Sequence, residues 1–380
     1  MRWRRDFVLL DNFYDCAETS ADGWNWSTAG MVSEYTARNA PFSYSGRGRG
    51  YDYEGSTNGV PKDLIGQPDV AGPPGGYLWD LCARHGISYR NYGCFSAFAD
   101  VDSGDGKSIV RENGPTKRTL VGHSDLDYRR YDLDYADSDA WSIYGTRSPG
   151  QKLKYGRFDS RSRFAEWKRE FDGFVATGEM PRFQIIRLPR DHTSGTQPDS
   201  PTPRAMVADN DYAVGQVIDA LSHSRFWKQS AIFVLEDDAQ DGDDHVDAHR
   251  STCFIISPFV RRGACDHTFY NTDSVLKTME RLLQLPSMCQ YDAIAPLLGV
   301  FGSRPENADP YTAILPPRQI IGEINLKTAY RAGDSARLDF SREDRVDEAT
   351  LNDILWHSVK GAGTPEPPVR HTLLPNWSKN

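Results

Sequence analysis

The stretch SAIFVLEDDAQDGDDHVDAHR (230–250) places a continuous apolar run directly before a dense group of acidic residues. Hydrophobicity that is continuous rather than alternating is typical of a strand covered on both faces, as in a parallel sheet. Crowded carboxylates repel one another and resist ionising together, unless a cation is bound or they face water. The stretch therefore predicts a buried strand whose carboxyl end carries either a metal site or a solvated acidic loop.

Three other apolar runs repeat this design, with polar residues directly after a short strand: DFVLLDN (6–12), RFQIIRLPRDH (182–192) and STCFIISPF (251–259). Helical periodicity occurs between these runs and after them, at 205–224 and 272–285. The apolar stripes of these two helices consist of Val207, Val214, Val217, Leu221, Val275, Met279, Leu282 and Leu283. Strands that alternate with helices predict an α/β fold with a mostly parallel sheet, in which ligands bind beyond the carboxyl ends of the strands.

The same patterns predict one α/β domain over residues 1–303, followed by a wrapping tail over 304–380. Residues 40–175 are rich in glycine, aromatic residues and loop signals, which indicates a large loop-rich insertion or cap over the sheet edge. A helix at 162–174 is expected to bring the chain back from it. The tail is proline-rich at both ends and should contain one helix, at 347–361.

The composition is that of a globular protein, with 38% hydrophobic residues, 12% aromatic residues and a net charge of −9. This charge argues against a general nucleic-acid-binding protein, because phosphate contacts need a basic face. It does not exclude an anionic substrate, since a bound divalent cation reverses the local charge. No apolar run approaches the roughly 18 residues of a membrane span, and the first residues lack the apolar core of a signal peptide.

Six cysteines are spread along the chain without a C-x-x-C pair. This spacing is not that of a zinc ribbon or of a small disulfide scaffold. We expect most of them to be buried or free thiols. The sequence leaves open whether Cys82 and Cys94 form a disulfide.

An EF-hand calcium loop is one way to use the acidic stretch, but its ligand spacing does not fit. In a register that starts at Asp237, positions three and twelve would be Ala239 and Ala248, which offer no side-chain oxygen. A solvated acidic loop is the simplest alternative for a run of aspartates.

A metal site is favoured over that alternative by the histidines. His245 and His249 stand among the carboxylates, and neutral imidazole is a ligand for transition metals. A second acid–histidine pair, Asp191 and His192, follows another predicted strand. Two such clusters at two strand ends can converge on one pocket, as dinuclear metal sites require.

A candidate nucleophile follows the first strand, in ETSADGWNWSTAGM (18–31). This segment predicts a turn that enters a helix, with Ser20 or Asp22 at the helix N-terminus. The positive end of the helix dipole helps a hydroxyl there to ionise and stabilises an attached phosphoryl group. The alternative is that Ser20 or Asp22 only caps the helix.

These stretches together resemble a known family. LLDNFYDCAETSADGWNWSTAG, LPRDHTSGT, EDDAQ-x-G-x-DHVDAHR and YNTDSVLKTMERLL are similar to motifs of the bacterial phosphoesterase family of the phospholipase C and acid phosphatase type, within the alkaline phosphatase superfamily. The resemblance covers most of residues 6–300. It implies an alkaline-phosphatase-like α/β/α sandwich, one or two divalent metal ions (zinc, manganese, calcium or magnesium) and cleavage through a covalent phosphoryl-enzyme.

The resemblance also implies roles for individual residues. It makes Ser20 the nucleophile, although a register shift of two would put Asp22 in its place. An arginine at the end of the acidic motif could bind phosphoryl oxygens through its fork of donors, or could form only a surface salt bridge. The implied metal ligands are Asp191, Asp237, Asp238 and His245, the other implied catalytic residues are His192 and Arg250, and the implied substrate-binding residues are Asn25 and His249.

Two departures from the family pattern stand out. Trp24 occupies a position where many relatives carry histidine, so that an apolar ring replaces a group able to polarise substrate. The family also begins with an earlier strand that ends in a Glu-Asn metal-ligand motif, and nothing in this sequence matches it. Because the first strand begins almost at residue 1, we expect that a preceding segment is missing.

Three functions follow as hypotheses. The leading one is a metal-dependent hydrolase of phosphate esters that acts through a phosphoserine. A phospholipase C-like hydrolase of lipid headgroups is the alternative among enzymes, and a truncated, non-catalytic metal-binding relative is the alternative from another class. The resemblance also suggests a periplasmic or secreted protein.

Overall fold

The apolar runs form strands in a computed structural model, which describes residues 6–17, 19–44, 56–57, 60–61, 71–102, 109–144, 162–239, 249–340 and 346–366. The strands are β1 (Val8–Tyr14), β2 (Ser56–Thr57), β3 (Val60–Pro61), β4 (Tyr89–Tyr92), β5 (Ser96–Asp102), β6 (Ile109–Pro115), β7 (Phe183–Ile186), β8 (Ile232–Leu235), β9 (Arg250–Ile256), β10 (Cys265–Asp266) and β11 (Tyr270–Asn271).

The helices alternate with these strands over much of the chain, as the sequence predicts. They are α1 (Ser20–Ala29), α2 (Glu34–Tyr44), α3 (Leu78–Arg84), α4 (Ala140–Ile143), α5 (Arg163–Thr177), α6 (Pro203–Ser222), α7 (Thr272–Leu283), α8 (Gln290–Ile294), α9 (Arg318–Ile321), α10 (Ala332–Ser335) and α11 (Glu348–Lys360).

The main sheet has the strand order β10–β1–β9–β8, and β11 pairs with the carboxyl end of β1. Strand β1 runs parallel to β10 and β11 and antiparallel to β9, which is antiparallel to β8. Four of the five strands therefore point the same way, but two of the four ladders are antiparallel, so the sheet is mixed. Strands β4 and β7 form a separate parallel ladder, and among the described residues β7 and β8 share no ladder with each other.

Neighbouring residues of β9 point to opposite faces of this sheet and enter different apolar clusters. Ile256 shares a cluster with Trp167 of α5 and Ile218 of α6, whereas Ile255 shares one with Val275 of α7. Helices thus cover both faces of the sheet. This confirms the predicted α/β fold with three layers.

Part of the predicted insertion at 40–175 pairs with a strand that lies outside it. Strand β4 lies inside that stretch and pairs with β7 from Tyr89 opposite Phe183 to Tyr92 opposite Ile186. The described strands that flank β4 in this stretch form two antiparallel hairpins, β2–β3 and β5–β6.

The tail beyond residue 303 packs against the segment that leads into α6. The Asn325 amide donates to the carbonyls of Gly195, Gln197 and Pro201 at 3.1, 3.2 and 3.1 Å. The tail helix predicted at 347–361 is observed as α11.

Several details differ from the sequence interpretation or decide what it left open. Val207 and Leu282 were assigned to apolar stripes, but they are 46% and 49% exposed, as is common for single apolar residues. Cys82 and Cys94 are buried thiols and form no disulfide. In the described part of the chain, no helix is long and apolar enough to cross a membrane.

Two buried ion pairs hold the 3₁₀ turn Pro189–His192 against α5 and α6. Arg163 Nη1 contacts Asp137 Oδ1 at 2.7 Å, and Arg190 Nη1 contacts Asp209 Oδ2 at 2.8 Å; all four side chains are at most 1% exposed. The second oxygen of Asp137 accepts the backbone N–H of Arg190 at 3.0 Å. Because the turn carries the acid–histidine pair of the sequence motif, this network fixes where that pair lies.

Replacing Asp137 tests the network. Asp137→Ala should lower the free energy of unfolding by about 3–5 kcal/mol, because it leaves the buried Arg163 guanidinium without its carboxylate. Chemical denaturation measures this value. As a control, Glu34→Ala removes an exposed ion pair to Arg38 on α2 and should cost less than about 1 kcal/mol. Equal losses in the two variants would show that the buried pair does not support the fold.

Candidate active site

Four carboxyl groups meet where three strands end. Asp15 follows β1, Asp191 follows β7 within the 3₁₀ turn, and Glu236 and Asp237 follow β8. Glu236 hydrogen-bonds to Asp191, and it also feels the charges of Asp15 and Asp237. The structure therefore brings together acids that lie far apart in the sequence, at the edge of the sheet where the sequence predicts a site.

Asp15 is 2% exposed and is held mainly by backbone and hydroxyl contacts. Its N–H donates to the carbonyl of His249 at 2.7 Å, and its Oδ1 accepts the Thr272 hydroxyl at 3.4 Å. Its Oδ2 is buried and has no hydrogen-bond partner among the described residues. Burial raises the pKa of Asp15 to about 8 and the charge of Asp237 adds to the rise, while a hydrogen bond with Ser251 opposes it.

Glu236 directly follows β8, and its side chain is exposed, so a small solute or ion can reach it. The surrounding protein still reduces the solvation of its carboxyl group, which raises the pKa of Glu236 well above its ordinary value, and the nearby charge of Asp191 raises it further.

Asp191 and His192 are positioned by neighbours on α6 and on the segment before α4. The Asn210 amide donates to the Leu188 carbonyl at 2.7 Å and to Asp191 Oδ1 at 3.3 Å. His192 Nδ1 lies 3.4 Å from the Tyr131 hydroxyl, and the two rings meet edge to face. The turn thus presents both side chains in a defined orientation.

Ser20 lies beside the second aspartate of the β8 motif. Its hydroxyl donates to Asp238 Oδ2 at 2.7 Å, and both side chains are 8% exposed. Ser20 is the first residue of α1, so it lies at the positive end of the helix dipole. The alternative that Ser20 or Asp22 caps this helix is wrong: Thr19 occupies the N-cap position, and its hydroxyl donates to Asp22 Oδ1 at 3.1 Å.

Gly23 allows α1 to approach the β8 motif this closely. A Cβ atom at Gly23 would lie 2.2 Å from the carbonyl oxygen of Asp237 and 3.2 Å from Asp238 Cβ. Only a residue without a side chain permits this contact. The glycine therefore sets the distance between the candidate nucleophile and the acids.

Arg187 connects the helix of Ser20 with the turn of His192 through two aromatic rings. Its guanidinium lies 5.1 Å from the centre of the Trp24 ring and 5.9 Å from that of Tyr131. Trp24 follows Ser20 by one helical turn and so shares its face of α1. A buried positive charge is thus placed against Trp24 on the helix of Ser20 and against Tyr131, whose ring contacts His192.

The remaining predicted residues are less closely tied to this cluster. The Asn25 amide group donates to the Ala21 carbonyl at 3.0 Å and accepts from the Tyr77 hydroxyl at 3.1 Å. Arg250 donates to the backbone carbonyl of Asp11 at 3.3 Å. His249 contacts the cluster through its backbone, and His245 lies outside the described residues.

Sequence reasoning missed Asp15, Glu236 and Arg187, although each left a signal. Asp15 follows the first apolar run just as Asp237 follows the third. Glu236 directly precedes the Asp237–Asp238 pair, and Arg187 is the first polar residue after its strand. The rule that ligands bind at the carboxyl ends of strands, applied to every strand, would have included all three.

Comparisons with known proteins agree with this location. A model of the Phosphoesterase family matches residues 143–286, which include Asp191, His192, Asp237 and Asp238 but not Ser20. No curated protein matches the chain.

Solved structures with a similar backbone include a protein in the alkaline phosphatase superfamily from Vibrio parahaemolyticus, at 14% identity and a TM-score of 0.44, over 78% of this chain and 63% of that one. The structure of Ps i-CgsB has 13% identity and a TM-score of 0.43, over 75% and 66%. Its complex with k-i-k-neocarrahexaose has 12% identity and a TM-score of 0.41, over 78% and 68%. The chain spans less than two thirds of the first two proteins.

Gly23→Ala should separate α1 from the β8 motif. The added methyl group must displace backbone, so we expect a loss of about 1–3 kcal/mol in the free energy of unfolding, measured by chemical denaturation. Gly173→Ala in α5 is the matched control, because nothing lies within 4 Å of a Cβ there. That variant should gain up to about 1 kcal/mol. If both glycines tolerate alanine equally, the close approach of α1 is not required.

The stability of metal-free protein should depend on the Asp15 proton. Because the folded state binds this proton more tightly than the unfolded chain does, its contribution is full below about pH 4 and is lost as the pH rises to about 8. Asp15→Asn removes the titrating group, so the variant should gain on wild type, on the order of a few kcal/mol across that range. Denaturation at several pH values, with a chelator present, measures the difference.

Asp11→Asn is the control for this comparison, since Asp11 is on the same strand but its pKa is lowered. It should show no gain as the pH rises. A parallel response of wild type and Asp15→Asn at all pH values would contradict the assignment of the shift to Asp15.

Proposed function

We propose that this chain is a metal-dependent hydrolase of phosphate esters that forms a phosphoserine at Ser20. The contact between the Ser20 hydroxyl and Asp238, next to the carboxyl cluster after β8, is the observation that carries the proposal. The family match over residues 143–286 supports the reaction class. The substrates we infer are small phosphate esters, with phospholipid headgroups as the alternative.

The acid cluster suits a divalent cation. Asp15 Oδ2 is buried without a hydrogen-bond partner among the described residues, and crowding and burial raise the pKa of Asp15 and Glu236. A bound cation would give the buried oxygen a partner. It would also favour the ionised carboxylates and so remove the rise in their pKa. Asp15, Asp191, Glu236 and Asp237 would hold it, and their oxygens would have to move closer to it, because no three of these residues offer ligand atoms that all lie within 4.8 Å of one another.

The other predicted ligands would complete the set. Asp238, whose Oδ2 accepts the Ser20 hydroxyl at 2.7 Å, is a further proposed ligand, and His245 is a proposed ligand in residues 240–248, outside the described part of the chain. Oxygen ligands suit magnesium, calcium or manganese, and an added imidazole would suit zinc. When bound, such a cation neutralises charge on the phosphoryl oxygens and lowers the pKa of an attacking hydroxyl.

The first half of the reaction uses Ser20 and Asp238. Asp238 Oδ2 already accepts the Ser20 hydroxyl proton at 2.7 Å and takes it as Oγ attacks phosphorus. The Oγ–P bond forms, the ester P–O bond breaks, and the released alcohol takes a proton from water. The dipole of α1 stabilises the resulting phosphoserine.

In the second half, water attacks the phosphoserine and loses a proton to solvent. The Oγ–P bond breaks, inorganic phosphate leaves, and Asp238 returns its proton to Ser20. The Arg187 guanidinium beside Trp24 supplies positive charge for the phosphoryl oxygens. In this scheme the Arg187 guanidinium lies over the Trp24 ring. Arg187 thus partly compensates for the histidine that many relatives carry at the position of Trp24. We also propose that substrate is contacted by Arg250, His249 and Asn25. His192 is proposed as a catalytic residue on the Asp191 side of the site.

Ser20→Ala tests the nucleophile. With a chromogenic phosphomonoester or phosphodiester and added Zn²⁺, Mn²⁺, Ca²⁺ or Mg²⁺, the variant should lose about 10³-fold or more of kcat/KM, because no oxygen remains to attack phosphorus. The control is Ser27→Ala. Ser27 is half-buried and lies about two helical turns after Ser20 on α1, so this variant should keep wild-type activity. Mass spectrometry of quenched wild type should find a phosphoryl group on the peptide that contains Ser20.

The competing hypotheses predict different results in this assay. A phosphopeptide with the modification elsewhere, or full activity of Ser20→Ala, would exclude Ser20 as the nucleophile. Cleavage of phosphatidylcholine vesicles but not of soluble esters would select the phospholipase C alternative. Metal binding without turnover of any ester would select the non-catalytic alternative.

A further inference from the structure

A second group of potential metal ligands lies on β1, away from the acid cluster. The ligand atoms of Asp11, Cys265 and His267 all lie within 4.8 Å of one another. Asp11 precedes Asp15 by four residues of extended chain, which corresponds to about 13 Å. The two groups are therefore separate.

The local backbone explains why these three side chains meet. Strand β10 runs parallel to β1 with Cys265 opposite Leu9. The register between β1 and β9 shifts between Leu10 and Phe13, as at a β-bulge, and bulges redirect side chains. At this irregularity Asp11 turns toward β10.

Hydrogen bonds already order the group. His267 Nδ1 lies 2.8 Å from both carboxylate oxygens of Asp11, and the Asn12 amide donates to the His267 carbonyl at 3.1 Å. Burial works against the charge of Asp11, but hydrogen bonds with Cys265 and His267 lower its pKa. Asp11 is thus an ionised acceptor with a thiol and an imidazole directed at it.

We propose that Asp11, Cys265 and His267 form a zinc-binding site. Thiolate sulfur, imidazole nitrogen and carboxylate oxygen are ligands of zinc, and tetrahedral coordination at about 2.0–2.3 Å puts neighbouring ligand atoms about 3.5 Å apart. That separation fits within the 4.8 Å observed. The cation would replace the protons that now join the three groups, with water as the fourth ligand on the exposed His267 side.

Two similar groups lack this combination of ligands. Asp353, His357 and Glu366 include no thiol, and Asp353 is paired with Arg331. In the cluster of Asp125, Asp127 and Glu166 all three ligands are carboxylates, and Arg169 contacts it. The cysteine-containing group is the one that suits zinc.

The position of the site suggests what the zinc does. Strand β10 is a two-residue edge strand held by one ladder to β1. A zinc ion between β1 and the turn after β10 would tie this edge to the sheet. The proposal is independent of the proposed hydrolase activity.

Cobalt provides a direct test, because a cobalt–thiolate bond absorbs in the near ultraviolet. Chelator-treated full-length protein titrated with Co²⁺ should develop this absorption, and Zn²⁺ should abolish it. Cys265→Ser should remove the band, and His267→Gln should weaken Co²⁺ binding at least about 100-fold. Because the His267 side chain is 77% exposed, that variant should leave the fold intact.

Controls separate this site from the acid cluster. Cys289→Ser removes another half-buried thiol and should leave the band unchanged, as should Asp237→Ala, whatever its effect on ester hydrolysis. Absence of the band in wild type would overturn the proposal. Persistence of the band with unchanged affinity in His267→Gln would also overturn it, because a lone cysteine would then suffice.

Discussion

Carboxyl groups brought near one another at the ends of strands impose the main constraint on this site. Asp15, Asp191, Glu236 and Asp237 lie together at strand ends, where they cannot all ionise without a positive charge among them. Protons relieve the repulsion in the protein alone: loss of solvation is the main cause that raises the pKa values of Asp15 and Glu236, and the charges of neighbouring carboxylates add to it. A divalent cation would relieve it differently, by favouring the ionised forms and competing with those protons. The same arrangement thus makes the site both sensitive to pH and suited to metal.

Rigid packing keeps this unfavourable arrangement in place. The buried pair of Arg163 and Asp137 holds the turn of Asp191 from one side, and the absence of a side chain at Gly23 lets α1 bring Ser20 to Asp238 from the other. Neither contact involves a reacting group. For the proposed hydrolase activity they would supply preorganisation, since most of the catalysis of phosphoryl transfer comes from positioning and electrostatics.

Strand β1 connects the two candidate metal sites, because it supplies Asp11 to one and leads into Asp15 of the other. Its carboxyl end delivers Asp15 to the acid cluster, and the irregularity at Asp11 turns a side chain toward the edge strand β10. The carboxylates of the first place suit hard cations and the thiol of the second suits zinc. The ladders β1 shares with β9, β10 and β11 connect both places to the main sheet.

The sequence by itself determined the fold class and half of the candidate site, because periodicity and strand-end polarity are local properties. Continuous apolar runs before RDH and EDD identified two strands and the acids that follow them. Only the tertiary structure decided that Asp15, Glu236 and Arg187 belong with those residues, that Thr19 and not Ser20 caps α1, and that β4 pairs with β7. These facts depend on which strands and helices become neighbours. Ser20 and Asp238 are 218 positions apart. A contact over such a separation cannot be inferred from the residue spacing within either segment.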